Sequence, residues 1–171
     1  MKTRQNTFVA YLDLLKVKHT KDFSNRYFNE HPHKYNLFGI SKMLSDYGVS
    51  NGGTRISDKE NELSNIELPF IAHTGNDFVV VYKTETNKVH YLWNGKKITL
   101  PVDKFIQSWS GIILLAETTP NSIEPDYKEH RKKELFNIAQ KSILIVAGVL
   151  IFGIIYFNHI FNNQLFNYSV I

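Results

Sequence analysis

The sequence predicts an α+β domain followed by one membrane-crossing helix. Three observations carry this reading. Up to Gly48, apolar side chains recur at helical spacing. From about Thr54 to Ala116, short apolar runs are separated by Gly, Pro, Asn and Asp turns. Finally, Ser142 to Phe157 is sixteen residues without a charge.

The helical part divides into three. Residues 4–16 place Phe8, Tyr11, Leu12 and Leu15 on one stripe, widened by Val9 and Leu14. Thr20 is a candidate N-cap for a helix through about Asn29 that buries Phe23, Tyr27 and Phe28. Pro32 forces a loop over Glu30 to Lys34, because the residue before a proline avoids the helical region. Asn36 then caps a third helix carrying Leu37, Ile40, Met43, Leu44 and Tyr47, which Gly48 stops.

After Gly48 the period changes. Asn51-Gly52-Gly53 is expected as a turn, with a strand starting at Thr54. Ser57 to Ile66 is polar and crosses as a short helix or loop. Leu68 to His73 and Asp77 to Tyr82 are central strands joined at Thr74-Gly75-Asn76, and Phe78 to Tyr82 suits burial on both faces. Lys88 to Trp93 and Lys96 to Leu100 form a hairpin about Asn94-Gly95, a type I′ signal. Pro101 opens a helical turn with Val102, Phe105 and Ile106, and Ile112 to Ala116 is the last buried strand.

Domain limits follow from the changes in composition. Residues 1–117 are the folded domain, 118–141 a linker and charged juxtamembrane helix, 142–161 the membrane helix, and 162–171 a short tail. Lys128, Arg131, Lys132, Lys133 and Lys141 precede the apolar run, and no Lys or Arg follows it. The positive-inside rule then predicts a single-pass membrane protein with its N-terminal domain in the cytoplasm. The basic run 128–133 is read first as this topology signal, with contact to anionic lipid as its other use.

Composition also excludes chemistries. The net charge of +4, with scattered Lys and Arg, is too weak for a nucleic-acid surface. With no cysteine there is no disulfide, thiolate metal site or Cys nucleophile. No Walker A pattern is present, so the chain does not itself hydrolyse ATP. His31 and His33 flank Pro32, but two ligands do not make a metal site, so no metal and no cofactor are expected.

Several segments match a known pattern in order and spacing: Leu68-Pro69-Phe70-Ile71-Ala72-His73, Phe78-Val79-Val80-Val81-Tyr82, Phe105, and Trp109-Ser110-Gly111 before Ile112 to Leu115. Through these, residues 5–117 resemble the C39 peptidase domain, the papain-like module of bacterial peptide-exporting ABC transporters. That family cleaves leader peptides after a double glycine. The resemblance implies a nucleophile near the start of the first helix, around Thr3 to Thr7, where this chain has no Cys. It places the catalytic His at Asp77 and the orienting Asp-Pro near Trp93 and Asn94. Thr3, Thr7 and Ser24 cannot simply substitute, since a hydroxyl needs a positioned base. Gln5 matches an oxyanion glutamine only in being early, so that role is not carried over.

With the triad replaced, no catalytic residue is assigned, and His73, Asp77 and Phe78 are the binding candidates. The resemblance implies a catalytically inactive, membrane-anchored docking or assembly module. Its partners would be a peptide or leader peptide, the membrane through 142–161, and either a transporter or a redox membrane protein. The redox setting arises because C39-like domains also precede vitamin K epoxide reductase-type modules. One alternative is an active hydrolase with a non-standard site around His73 and Asp77. Another is a purely structural cap of a larger membrane protein.

Overall fold

The computed structural model describes residues 6–75 and 77–168, with side chains through Asn158. Thr3, Gln5 and Asn76, named above, lie outside these residues, as does 169–171 of the expected tail. Three helices come first: α1 (Thr7–Leu14), α2 (Lys21–Glu30) and α3 (Leu37–Asp46). Then follow β1 (Ser50–Arg55), α4 (Lys59–Glu62) with a 3₁₀ turn, β2 (Phe70–Thr74), β3 (Asp77–Glu85), β4 (Lys88–Trp93) and β5 (Lys96–Pro101). The short helix α5 (Val102–Ser108), β6 (Trp109–Glu117) and the long α6 (Tyr127–Tyr168) complete the chain.

The six strands form one antiparallel sheet in the order β1-β6-β2-β3-β4-β5. Alternation along the central strands feeds two cores. Ile71, Val80 and Leu114 meet Phe8, Tyr11 and Leu12 of α1 and Ile40, Met43 and Leu44 of α3. Phe70, Ala72, Val79, Val81 and Ile113 join Leu63, Phe105 and Trp109 in the second core. Both faces being covered explains why β3 reads as a continuous apolar run.

The expected turn at Asn51-Gly52-Gly53 is instead part of edge strand β1, paired with Leu114, Leu115 and Ala116. A side chain at Gly53 would press a Cβ to 3.2 Å from Leu37 Cδ2, so glycine lets α3 lie close on the strand. Here packing overrides the turn propensity.

Thr20 begins α2, but its side chain makes no cap within the helix. The cap comes from Glu124, a hundred residues on. Its Oε2 accepts from the Thr20 N–H at 2.6 Å and from Ser24 Oγ at 3.2 Å, while Oε1 accepts from Thr20 Oγ1 at 2.9 Å. His130 Nδ1 stands 2.9 Å from Oε1, and its ring stacks on Phe23 at 3.9 Å between centroids. The segment leading to Glu124 is laid down by main-chain bonds, Ile123 N–H to Tyr47 O at 2.9 Å and Glu124 N–H to Lys18 O at 3.0 Å. Only 1% of Glu124 is exposed. A carboxylate at a helix N-terminus meets both unsatisfied N–H groups and the positive end of the dipole.

On the other side of this cluster, Tyr27 Oη donates to Asp46 Oδ2 at 2.6 Å and Lys42 Nζ to Oδ1 at 2.9 Å. Burial and this bond push the Tyr27 phenol up to about 12. Burial alone would raise Asp46. The hydrogen bonds from Tyr27 and Lys42, with the Lys42 charge, outweigh it and hold the carboxyl below its usual range. A depressed folded pKa means that the unfolded chain takes up the proton first. Asp46 therefore contributes stability above its unfolded value of about 3.9, and that contribution is lost as pH falls through the folded value. Urea midpoints measured from pH 6 down to pH 3 should fall less steeply in Asp46→Asn than in the parent chain.

Residues Met1–His130 form one compact unit and Arg131–Ile171 a second, which is the body of α6. Within α6, Tyr127–Asn158 is the one stretch among the described residues long and apolar enough to cross a membrane, judged by length and composition.

Candidate functional site

The start of α1 is tied down at three points. Asn6 Oδ1 accepts from the Val9 N–H at 2.9 Å as the N-cap, and its Nδ2 donates to Asn25 Oδ1 of α2 at 2.9 Å. Thr7 Oγ1 donates to the Phe78 carbonyl at 2.9 Å, which locks the helix end against the start of β3. Opposite, Asp77 Oδ1 accepts from the Phe78 N–H at 2.8 Å, and Oδ2 accepts from the Trp93 indole N–H. Asn94 and Gly95 follow at φ 49° and 72°, the two positive angles that a type I′ turn requires. The hairpin is thereby aimed so that Trp93 reaches Asp77.

Between these elements lies a cleft of about 320 Å³. Asn6 and Thr7 line one side, and Asp77, Phe78 and Asn94 line another. Phe28, Asn29 and Ile40 also line it, with Lys34 and Tyr35 from the α2–α3 loop. Among the described residues no histidine lines it. The Thr7 hydroxyl donates to a carbonyl rather than to a base, and both Asp77 oxygens are accepting. Among the described residues that line the cleft, the Thr7 hydroxyl is thus turned to a backbone carbonyl and the Asp77 carboxylate to the Phe78 N–H and the Trp93 indole.

The binding candidates part company. Asp77 and Phe78 line the cleft, as does Asn94, while His73 does not. His73 is half-buried against Phe78, 5.0 Å between ring centroids, and its Nδ1 lies 3.0 Å from Ser110 Oγ. Ser110 Oγ also accepts from the Ile112 N–H at 3.3 Å, a local turn at the start of β6. Ser24 is fully buried, bonds Tyr47 Oη at 2.9 Å beside Glu124, and does not line the cleft. His31 Nδ1 accepts from the His33 N–H at 3.2 Å, and no group of three potential metal ligands occurs among the described residues. Sequence reasoning missed Lys34 and Tyr35, which sit in a loop with no periodicity. It also missed Asn6, whose cap is visible only once α1 is known to begin at Thr7.

Helices packed on an antiparallel sheet, with a cleft between the first helix and the β3–β4 hairpin, define a papain-like peptidase domain. The model of the Peptidase C39 family matches residues 12–121, and the chain belongs to that family. The matched range begins inside α1, leaving Asn6 and Thr7 outside it.

Among solved structures, the peptidase domain of Streptococcus ComA, a bi-functional ABC transporter involved in a quorum sensing pathway, shares the fold. Its TM-score is 0.56 at 12% identity, over 66% of this chain and 88% of that one. A double glycine motif protease from an AMS/PCAT transporter, solved with its leader peptide, is 26% identical with a TM-score of 0.46. That match covers 49% of this chain, which spans 61% of the length of that protease. The N-terminal peptidase C39 like domain of a toxin secretion ATP-binding protein from Vibrio parahaemolyticus has a TM-score of 0.43 at 14% identity, covering 67% and 98%. No curated protein sequence matches the chain significantly.

Proposed function

We propose that this chain is a catalytically inactive C39 domain, anchored by α6, that holds a peptide for a bacterial export system without cutting it. One observation carries the reading: the cleft wall is intact while Thr7, Asp77 and Trp93 spend their polar atoms on one another's elements. Such groups shape a groove but supply no base to a hydroxyl. Tyr35, 80% exposed at the cleft edge, is the kind of aromatic side chain that anchors a docked peptide. The transporter setting is favoured over a thiol-redox one because the ComA peptidase domain, which shares the fold, belongs to an ABC transporter.

The test is a titration of the detergent-solubilised full chain with a fluorescent leader peptide ending in a double glycine. The expected result is saturable binding, weakened about tenfold by Tyr35→Ala, a loss of about 1.4 kcal/mol. Mass analysis after incubation should find the peptide uncut. Absence of saturable binding would sink the docking role. A cleavage product that disappears in His73→Ala would instead favour the alternative of an active hydrolase with a non-standard site around His73 and Asp77.

A further inference from the structure

The basic residues at the start of the second unit have more to do than set topology. Arg131, Lys132, Lys133 and Lys141 stand against one acid, Glu134, and residues 142–171 carry no Asp, Glu, Lys or Arg. All the charge of the unit is therefore gathered at one end. At 3.6 residues per turn, Arg131 and Leu135 are one turn apart on the same face, as are Lys132 and Phe136. Ile138 and Ala139 continue that face into the apolar run. Lys133 and Asn137 fall on the opposite side.

Leu135, Phe136 and Ile138 are 51%, 62% and 53% exposed, so nothing in the unit covers them. Arg131 and Lys132 are exposed too, with Arg131 paired to Glu134 at the surface. An apolar strip at the mouth of a spanning segment, with cations one turn of 5.4 Å above it, has the layering of a bilayer's headgroup zone.

We infer that the Arg131–Ala139 face of α6 is a binding surface for anionic lipid headgroups, with Leu135, Phe136 and Ile138 in the interface and Arg131 and Lys132 on the phosphates. The inference rests on the membrane-anchored reading above and adds to it a lipid class. Charge complementarity favours anionic over zwitterionic lipid, and continuity with the apolar run places the face at the bilayer boundary.

The chain lacks cysteine, so single labels are clean. The full chain is reconstituted into vesicles of phosphatidylcholine alone or mixed with phosphatidylglycerol, carrying an environment-sensitive dye at Phe136→Cys or, separately, at Ile151→Cys. The Ile151 label reports insertion, and the Phe136 label reports the face. The expected result is an Ile151 dye shielded from an aqueous quencher in both vesicles. The Phe136 dye should be blue-shifted and shielded only with phosphatidylglycerol, an effect lost in high salt and in Arg131→Gln/Lys132→Gln. An Ile151 dye shielded in both, with a Phe136 dye indifferent to lipid charge, overturns the lipid inference and leaves the anchor standing. An Ile151 dye open to quencher in both overturns the anchor itself, and the lipid surface with it.

Discussion

Replacing Glu124 by alanine is expected to destabilise the Met1–His130 unit by about 3 kcal/mol, because it strips a buried carboxylate from the buried Thr20 and Ser24. The Thr20 N–H, the Thr20 and Ser24 hydroxyls and the His130 ring would all lose their acceptor. The first turn of α2 would lose its cap as well, an effect worth about 1 kcal/mol by itself. Glu124→Gln keeps the shape and one amide oxygen, so it should cost roughly half as much, near the 1.5–3 kcal/mol of a hydrogen bond to a charged group. The measurement is the denaturant midpoint of the full chain in detergent, followed by fluorescence of buried Trp109. A change below about 1 kcal/mol for the alanine variant, the value typical of an exposed pair, would show that this cluster does not hold the domain's end in place.

Gly39→Ala is expected to be of similar size and to act on the cleft as well as on stability. A Cβ at Gly39 would stand 1.9 Å from the His33 carbonyl oxygen and 2.5 Å from its carbon, both backbone atoms that no rotamer change can move. The Gly39 N–H also donates to Asn36 Oδ1 at 2.7 Å, closing the same loop onto α3. Two effects compete. Alanine gains roughly 0.5–1 kcal/mol over glycine in a helix interior. Forcing the loop away costs about 1–3 kcal/mol or more, as overpacking does. The clash wins, and the part that moves is the His33–Asn36 loop, which carries Lys34 and Tyr35 at the cleft. The variant should therefore unfold at lower denaturant and also bind the leader peptide more weakly than its stability alone explains. An alanine variant more stable than the parent would refute this account of the loop.

The element order was largely legible. Helical spacing at Phe8, Tyr11 and Leu12 and at Ile40, Met43 and Leu44, continuous apolar runs in β2 and β3, and Asn94-Gly95 each encode local geometry in a few adjacent residues. Such signals survive without knowledge of the fold, since propensity and burial pattern agree. β1 was not legible, because Asn51-Gly52-Gly53 has turn chemistry and becomes a strand only through pairing with β6 and the approach of Leu37. The cleft was half legible. Asp77, Phe78 and Asn94 were singled out through the family resemblance, whereas Lys34 and Tyr35 sit in a loop that only α3 packing positions.

By itself the sequence determined the family, through apolar strands and turn residues in a set order, and the absence of any cysteine to act as nucleophile. It also determined that all charge near the apolar run lies on its N-terminal side. Tertiary structure alone decided that Asp77 is engaged by Trp93, that His73 pairs with Ser110 outside the cleft, and that Glu124 caps a helix a hundred residues earlier. Each of these is a contact between segments distant in the chain, with partners chosen by sheet register and helix packing. No local propensity carries that information.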